Sequence, residues 1–250
     1  MNRNQLYLST IDSRAGALAR KYGLGVEIAD YCTAMNIDRF REQTAAALEQ
    51  QLEQISRRLL HGPFNELFPC AIDPLARKLA AFRFEQALAL TQEYGGKKLI
   101  LHGGFHPKLY YPCWYVEQST LFWREFLEKH PGNYEICLEN VLEEEPETLR
   151  SIVSQVNDPR LRLCLDVGHV NAYSSVSAGD WIACWGELLS HTHLHNNDGT
   201  ADTHSALWDG ALDIISLMQS LPSGATATLE LPEIGENISW LEENALLPPV

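Results

Sequence analysis

The sequence predicts an α/β fold, a single (β/α)8 TIM barrel over residues 1–250. Two observations lead there and a third removes the main competitor. Short apolar runs of β type alternate with longer helix-type stretches, the order expected of parallel strands joined by crossover helices. Eight such runs fit into 250 residues, the usual size of a closed eight-stranded barrel that leaves no sheet edge. An open doubly wound sheet would carry a glycine-rich phosphate loop after its first strand. Here Ser9-Thr10-Ile11-Asp12-Ser13-Arg14-Ala15-Gly16 holds neither G-x-G-x-x-G nor a Walker A pattern.

In chain order the β-type runs are residues 5–9, 25–29, 58–61, 98–102, 134–139, 161–166, 190–195 and 227–231. The best-marked helix follows Asp73-Pro74, an N-cap with proline at the first helical position. It carries Leu75, Leu79, Phe82 and Leu88, and stops after Tyr94 at Gly95-Gly96. A second starts near Asp38 with Phe40, Ala45, Leu48 and Leu52, and a third after Pro146 with Leu149, Ile152 and Val153. Residues 214–221 are short but periodic, and 240–247 form the weakest helical pattern. No composition break, proline-rich linker, charge block or repeat divides the chain, so one domain is expected.

Composition narrows the function classes. Lys and Arg total 19 against 33 Asp and Glu, a formal charge of −14, the wrong sign for gripping polyphosphate backbones. No apolar run approaches the ~20 residues of a bilayer helix, and Met1-Asn2-Arg3-Asn4-Gln5 lacks the apolar core of a secretion signal. A cytoplasmic chain with a small-molecule substrate, and with neither nucleic acid nor membrane as partner, is expected; homo-oligomerisation stays open. The cysteines Cys32, Cys70, Cys113, Cys137, Cys164 and Cys184 are scattered without a C-x-x-C pair, a pattern of reduced, buried thiols. A metal, if held, is held by histidine and carboxylate.

Those residues interrupt the strands in an ordered way. Glu27, His61, His102, Glu139, Asp166, His193 and Glu230 fall at or near the C-terminal ends of predicted strands, one βα unit apart. In a barrel that rim is where the loops converge. Of nine histidines, only His130 lies away from strand ends and the loops beyond them. Glu139 and Glu230 each follow an apolar β run, and burying such a carboxylate is costly unless a cation compensates it. Asp166-Val167-Gly168-His169 offers a carboxylate and an imidazole across one turn, and Asp202-Thr203-His204 offers another pair on a loop. His191, His193 and His195 alternate, so a strand turns all three to one face. Taken singly, Glu27, His61 and His102 also read as hydrogen-bonded rim residues. Jointly the set suits a divalent ion, and its histidine content leans towards Zn²⁺ or Mn²⁺ over Mg²⁺.

The ordered motifs His61-Gly62-Pro63-Phe64, Leu101-His102-Gly103-Gly104-Phe105, Cys137-Leu138-Glu139-Asn140, Cys164-Leu165-Asp166-Val167-Gly168-His169, His193-Leu194-His195-Asn196-Asn197-Asp198-Gly199, Asp202-Thr203-His204 and Leu229-Glu230 resemble those of the sugar phosphate isomerase/epimerase family. This is a group of xylose-isomerase-like TIM barrels whose metal site is shared with endonuclease IV. The resemblance implies Glu139, Asp166, His193 and Glu230 as ligands of a central metal. It adds His61 and His102, with Glu139 bridging, around a second ion, and His169, Asp202 and His204 around a third, so one to three ions are expected. His193 is preferred to His195 as the ligand because it is the first histidine of the family's H-L-H pattern. The chain departs from the family where Trp208 replaces a loop glycine and where His195-Asn196-Asn197 replaces H-D-N.

The resemblance further implies a divalent-metal-dependent isomerase or epimerase acting on a small sugar or sugar-like substrate through an enediolate. Glu139 and Glu230 would be its acid/base pair, and His169 would bind a substrate hydroxyl. His195 and Trp208 are candidate substrate contacts, Trp208 either stacking on a sugar face or closing the rim. The alternative is an endonuclease IV-like multinuclear metal phosphodiesterase or hydrolase. The full nine-residue set favours that alternative. The acidic charge, and a rim with little positive charge beyond Lys108, oppose it. A third class, a metal-free binding protein, would leave several carboxylates uncompensated.

Overall fold

In the computed structural model, which describes residues 1–249, eight parallel strands pair in sequence order and β1 closes on β8. The chain runs β1 (Leu6–Ser9), α1 (Ala15–Tyr22), β2 (Gly25–Ile28), α2 (Ala34–Asp38), α3 (Arg41–Leu52), β3 (Arg58–His61), α4 (Pro74–Glu93) and β4 (Lys98–His102). It continues through α5 (Pro112–Lys129), β5 (Glu135–Glu139), α6 (Glu147–Val156), β6 (Leu161–Asp166), α7 (Val167–Tyr173), α8 (Ala178–Trp185), β7 (Leu189–Leu194), α9 (Ile214–Ser220), β8 (Thr226–Leu229) and α10 (Gly235–Glu243). Among the described residues no helix is long and apolar enough to cross a membrane.

Period-2 alternation sorts the strand residues into two environments. Leu60, Leu99, Leu101, Ile136, Leu138, Leu163 and Leu165 face outward and join the main core, which also takes Phe84, Trp123, Leu149 and Trp181 from the helices. Each such fully buried apolar side chain contributes roughly 1.5–3 kcal/mol. The residues between them turn inward, where Leu59, Ile100, Cys137 and Cys164 form a separate small cluster against Tyr7. The rest of the barrel interior is polar. Between β6 and β7 the register slips by one residue, so that His191 stands opposite Cys164 and His193 opposite Asp166. Such irregularities re-aim side chains beside functional sites.

The eight expected strands are all present, β3, β4 and β6 with the expected bounds and the other five with ends moved by one or two residues. Asp73 caps α4 by accepting from the Leu75 N–H, with proline inside the first turn. The helix expected near Asp38 is instead two helices with a break at Arg39-Phe40, and the last helix begins at Gly235 rather than 240. Helices α1, α5, α7 and α8 are not individually marked in the sequence. In α5 the run Trp114, Tyr115, Val116 reads locally as strand, and packing of Tyr115, Trp123 and Phe126 into the core overrides that propensity. The thiols are free as expected, but Cys113 is exposed on α5, and Cys32 and Cys184 are only part-buried.

Helix α1 crosses α3 so closely that a Cβ on Gly16 would stand 2.2 Å from the Gln51 carbonyl oxygen. Gly16→Ala therefore forces the two helices apart and is expected to cost about 1–3 kcal/mol, read as a lower urea midpoint at unchanged slope. An unchanged midpoint would show that the crossing tolerates a methyl group.

Candidate metal centre

Seven of the nine expected ligands lie at the ends of β3 to β8 or just beyond, and the loop after β7 brings in Asp202 and His204. At the centre, ligand atoms of Glu139, Asp166, His193 and Glu230 lie within 4.8 Å of one another. His193 Nδ1 is 3.1 Å from Glu139 Oε1, 3.1 Å from Glu230 Oε2 and 3.7 Å from Asp166 Oδ2. Beside this group, His61 Nε2 and His102 Nε2 approach Glu139 Oε2 at 3.1 and 3.5 Å. Across it, His169 Nε2 and His204 Nε2 each stand 3.2 Å from Asp202 Oδ2. The three ligand groups expected from the sequence are thus contiguous, sharing Glu139 on one side and stepping through Asp166 on the other.

Three of these imidazoles are oriented by backbone. His61 Nδ1–H donates to the Gly62 carbonyl at 2.9 Å, His169 Nδ1–H to Asn140 at 2.9 Å, and His204 Nδ1–H to Glu230 at 2.8 Å. Each ring therefore presents Nε2 to a carboxylate, the tautomer a metal ligand needs. Phe64 stacks on His102 with ring centroids 4.1 Å apart, fixing that ring by packing.

Charge is the dominant feature. Glu27, Glu139, Asp166 and Glu230 are buried, with Asp202 close by, and among the described residues their ion-pair partners are histidines alone. Burial would raise Glu139 and Asp166, but His193 and His102 around the first, and His169 and His195 around the second, hold both well below the carboxylate range. Burial disfavours the His61 cation, yet Glu139 lifts it to about 9, and Asp202 does the same for His204. His102 is pushed down to about 4 by burial, which its distant carboxylate contact does not offset.

His195 lies beside this cluster. Its Nε2 is 3.0 Å from both Asp166 oxygens, and its ring stacks on His204 at 4.0 Å. Among the described residues its buried Nδ1 has no hydrogen-bond partner; 3.7 Å away is Asp202 Oδ1, also buried and without one there. A nitrogen lone pair facing an oxygen lone pair at that spacing fits a shared cation. Gly168 makes room for the ring, since a Cβ there would fall 1.9 Å from His195 Cε1. Trp208 is half exposed, with its ring 6.2 Å from that of Trp240 on α10.

Several participants are given no site role by the sequence. Asn140 ties β5 to β6, donating to the Asp166 carbonyl and accepting from the Asp166 N–H. Asn196 donates to the carbonyls of Leu207 and Leu212, holding the loop that carries Asp202 and His204. An aspartate there could not donate, which gives the H-N-N departure a physical reason. Glu143 is buried under Tyr115 and pushed up to about 7 by that burial. Glu27, which the sequence leaves as a rim residue, sits deeper, wholly buried beneath His193. Arg14 also belongs to the cations near the rim, but its Nε and Nη2 donate to the two Asp12 oxygens.

The family model for xylose isomerase-like TIM barrels matches residues 17–244. A protein of Methanocaldococcus jannaschii without assigned function is 26% identical over 173 residues, 65% of this chain and 59% of the relative. The match thus spans less than two thirds of that relative. Among solved structures, a protein from Thermus thermophilus soaked with zinc chloride superposes with a TM-score of 0.76 at 24% identity, covering 96% of this chain and 98% of that one. A D-tagatose 3-epimerase-like protein gives 0.75 at 20% identity, covering 97% of both. At these identities the two structures share the fold.

The charge arrangement sets a pH dependence for the metal-free chain. His61 and His204 both bind protons more tightly folded, near 9, than at the ordinary 6.5. Their stabilisation is full below pH 6.5 and is lost as the pH rises through 9. After chelator treatment the melting temperature is expected to fall between those pH values; a rise across that interval contradicts the assignment.

Proposed function

The chain belongs to the xylose isomerase-like TIM barrels, and from that premise we propose that it is a divalent-metal-dependent isomerase or epimerase of a small sugar or sugar-like molecule. The observation that carries this reading is the convergence of Glu139 and Glu230, from strands three apart, on one histidine nitrogen at 3.1 Å each. Two carboxylates so placed flank a substrate carbon from two sides, one taking a proton and the other returning it. The D-tagatose 3-epimerase-like neighbour supports the sugar class, and the zinc-soaked neighbour supports a metal.

The donor set fits such an ion: one imidazole and three carboxylates without thiolate, all buried, with ligand atoms within 4.8 Å of one another. Glu139, Asp166, His193 and Glu230 would hold it. When bound, the ion supplies positive charge against the negative charge that develops on the substrate's carbonyl and hydroxyl oxygens. Proton removal beside the carbonyl by one glutamate gives an enediolate, and the other glutamate reprotonates it. His169, braced by the Asn140 carbonyl, would meet a substrate hydroxyl with the Nε2 it holds beside Asp202, and His195, buried with Nε2 on Asp166, would act from behind Asp202. Trp208, half exposed, is the aromatic available near the loop for a sugar face.

One observation favours a second reading, a multinuclear hydrolase: the groups His61, His102, Glu139 and His169, Asp202, His204 are also assembled. Metal counting separates the two. In the isomerase, Glu230→Gln is expected to lower kcat by about 10²–10⁴-fold and to weaken the central ion, while His204→Ala leaves that ion in place. Incubation with a panel of ketoses and aldoses in deuterated water is expected to show solvent deuterium at the isomerising carbon. Three ions per chain, one of them lost with His204→Ala, together with no exchange on any sugar, would transfer the assignment to hydrolysis.

A further inference from the structure

The interior of a (β/α)8 barrel is ordinarily filled by apolar layers. Beneath the metal centre this one holds a continuous column of polar side chains along the barrel axis. At its floor Lys98 Nζ donates to Thr226 Oγ1 at 2.9 Å and pairs with Glu135 at 3.1 Å. Thr226 Oγ1 lies 2.6 Å from His191 Nδ1 and 3.2 Å from the Ser190 carbonyl oxygen. His191 Nε2 is 2.9 Å from Thr228 Oγ1, which donates to Glu27 Oε2. Glu27 Oε1 is 3.1 Å from His193 Nε2, and His193 Nδ1 faces Glu139, Asp166 and Glu230.

The directions follow from Glu27, whose carboxylate can only accept: the single Thr228 proton goes to it, so the Thr228 oxygen accepts from His191 Nε2–H. In a neutral imidazole that leaves His191 Nδ1 as an acceptor facing the Thr226 hydroxyl, which itself accepts from Lys98. A carboxylate is acceptor-only, so the remaining oxygen of Glu27 requires a proton on His193 Nε2. That leaves Nδ1 as the nitrogen turned towards the ligand group.

We propose that Glu27 is a positioning residue: buttressed by the Lys98–Thr226–His191–Thr228 column, it commits His193 to ligate a metal through Nδ1. This rests on the metal reading above and adds to it a residue outside the ligand set. A carboxylate behind a ligating imidazole fixes the ring's tautomer and orientation, and its loss weakens metal binding about 10- to 100-fold. Glu27→Gln is nearly isosteric, but its amide can donate to His193 Nε2 and so permits the opposite tautomer.

The test uses Zn²⁺ alone. Zinc affinity is measured by chelator competition on the wild-type chain and Glu27→Gln, with ¹⁵N NMR of the zinc-loaded histidines alongside. Expected are a dissociation constant raised about 10- to 100-fold by Glu27→Gln, and a wild-type His193 ligated at Nδ1 with its proton on Nε2. A Glu27→Gln affinity within about twofold of wild type overturns the proposal while leaving the metal reading intact. So does a wild-type His193 ligated through Nε2, which decides the matter even if the variant fails to fold. A wild-type chain that takes up no zinc overturns both.

Discussion

Buried negative charge is the constraint on which the rest of this structure depends. Glu27, Glu139, Asp166 and Glu230 are all under 9% exposed at one end of a barrel, and isolated carboxylates in such a place are strongly disfavoured. The compensating groups are imidazoles rather than lysines or arginines. A guanidinium would neutralise the acids permanently, whereas an imidazole can surrender its proton to an incoming cation and then offers a lone pair. A mouth compensated by histidine can therefore exchange protons for a divalent cation without rebuilding its side chains.

The fold supplies that arrangement through strand alternation. One inward-facing residue at or near the C-terminal end of each of β3, β4, β5, β6 and β7 reaches the cluster, while outward neighbours such as Leu60, Leu101 and Leu138 anchor the strands to the helices. The register slip between β6 and β7 sets His193 opposite Asp166. Asn140 and Asn196 then fix the loops by bonds in which each amide both donates and accepts. Below, the axial column replaces part of the apolar filling with a chain of hydrogen bonds whose polarity is set by the Glu27 carboxylate at its upper end.

Strand positions and the nine candidate ligands are legible in the sequence because both follow simple periods. Apolar runs recur with the βα unit, and His or carboxylate closes run after run, from His61 to Glu230. What sits between is less legible. Helix α5 is obscured by aromatic and β-branched residues whose helical state is settled by burial of Trp123 and Phe126 rather than by propensity. Asn140 and Asn196 carry no metal-type signature, since their work is done on backbone groups that only the folded chain brings near. Glu27 is visible in the sequence, but its role is not. Its place in Gly25-Val26-Glu27-Ile28 sets it on the inward face, whereas its partners His191, His193 and Thr228 lie more than 160 residues away.

The most direct test is X-ray absorption at the zinc edge of the zinc-loaded chain. The account predicts a nearest shell of nitrogen and oxygen only, at about 2.0–2.2 Å, with the outer scattering of imidazole rings. A sulfur shell at about 2.3 Å, drawn from any of the free cysteines, or a spectrum of hydrated zinc without imidazole, would contradict it.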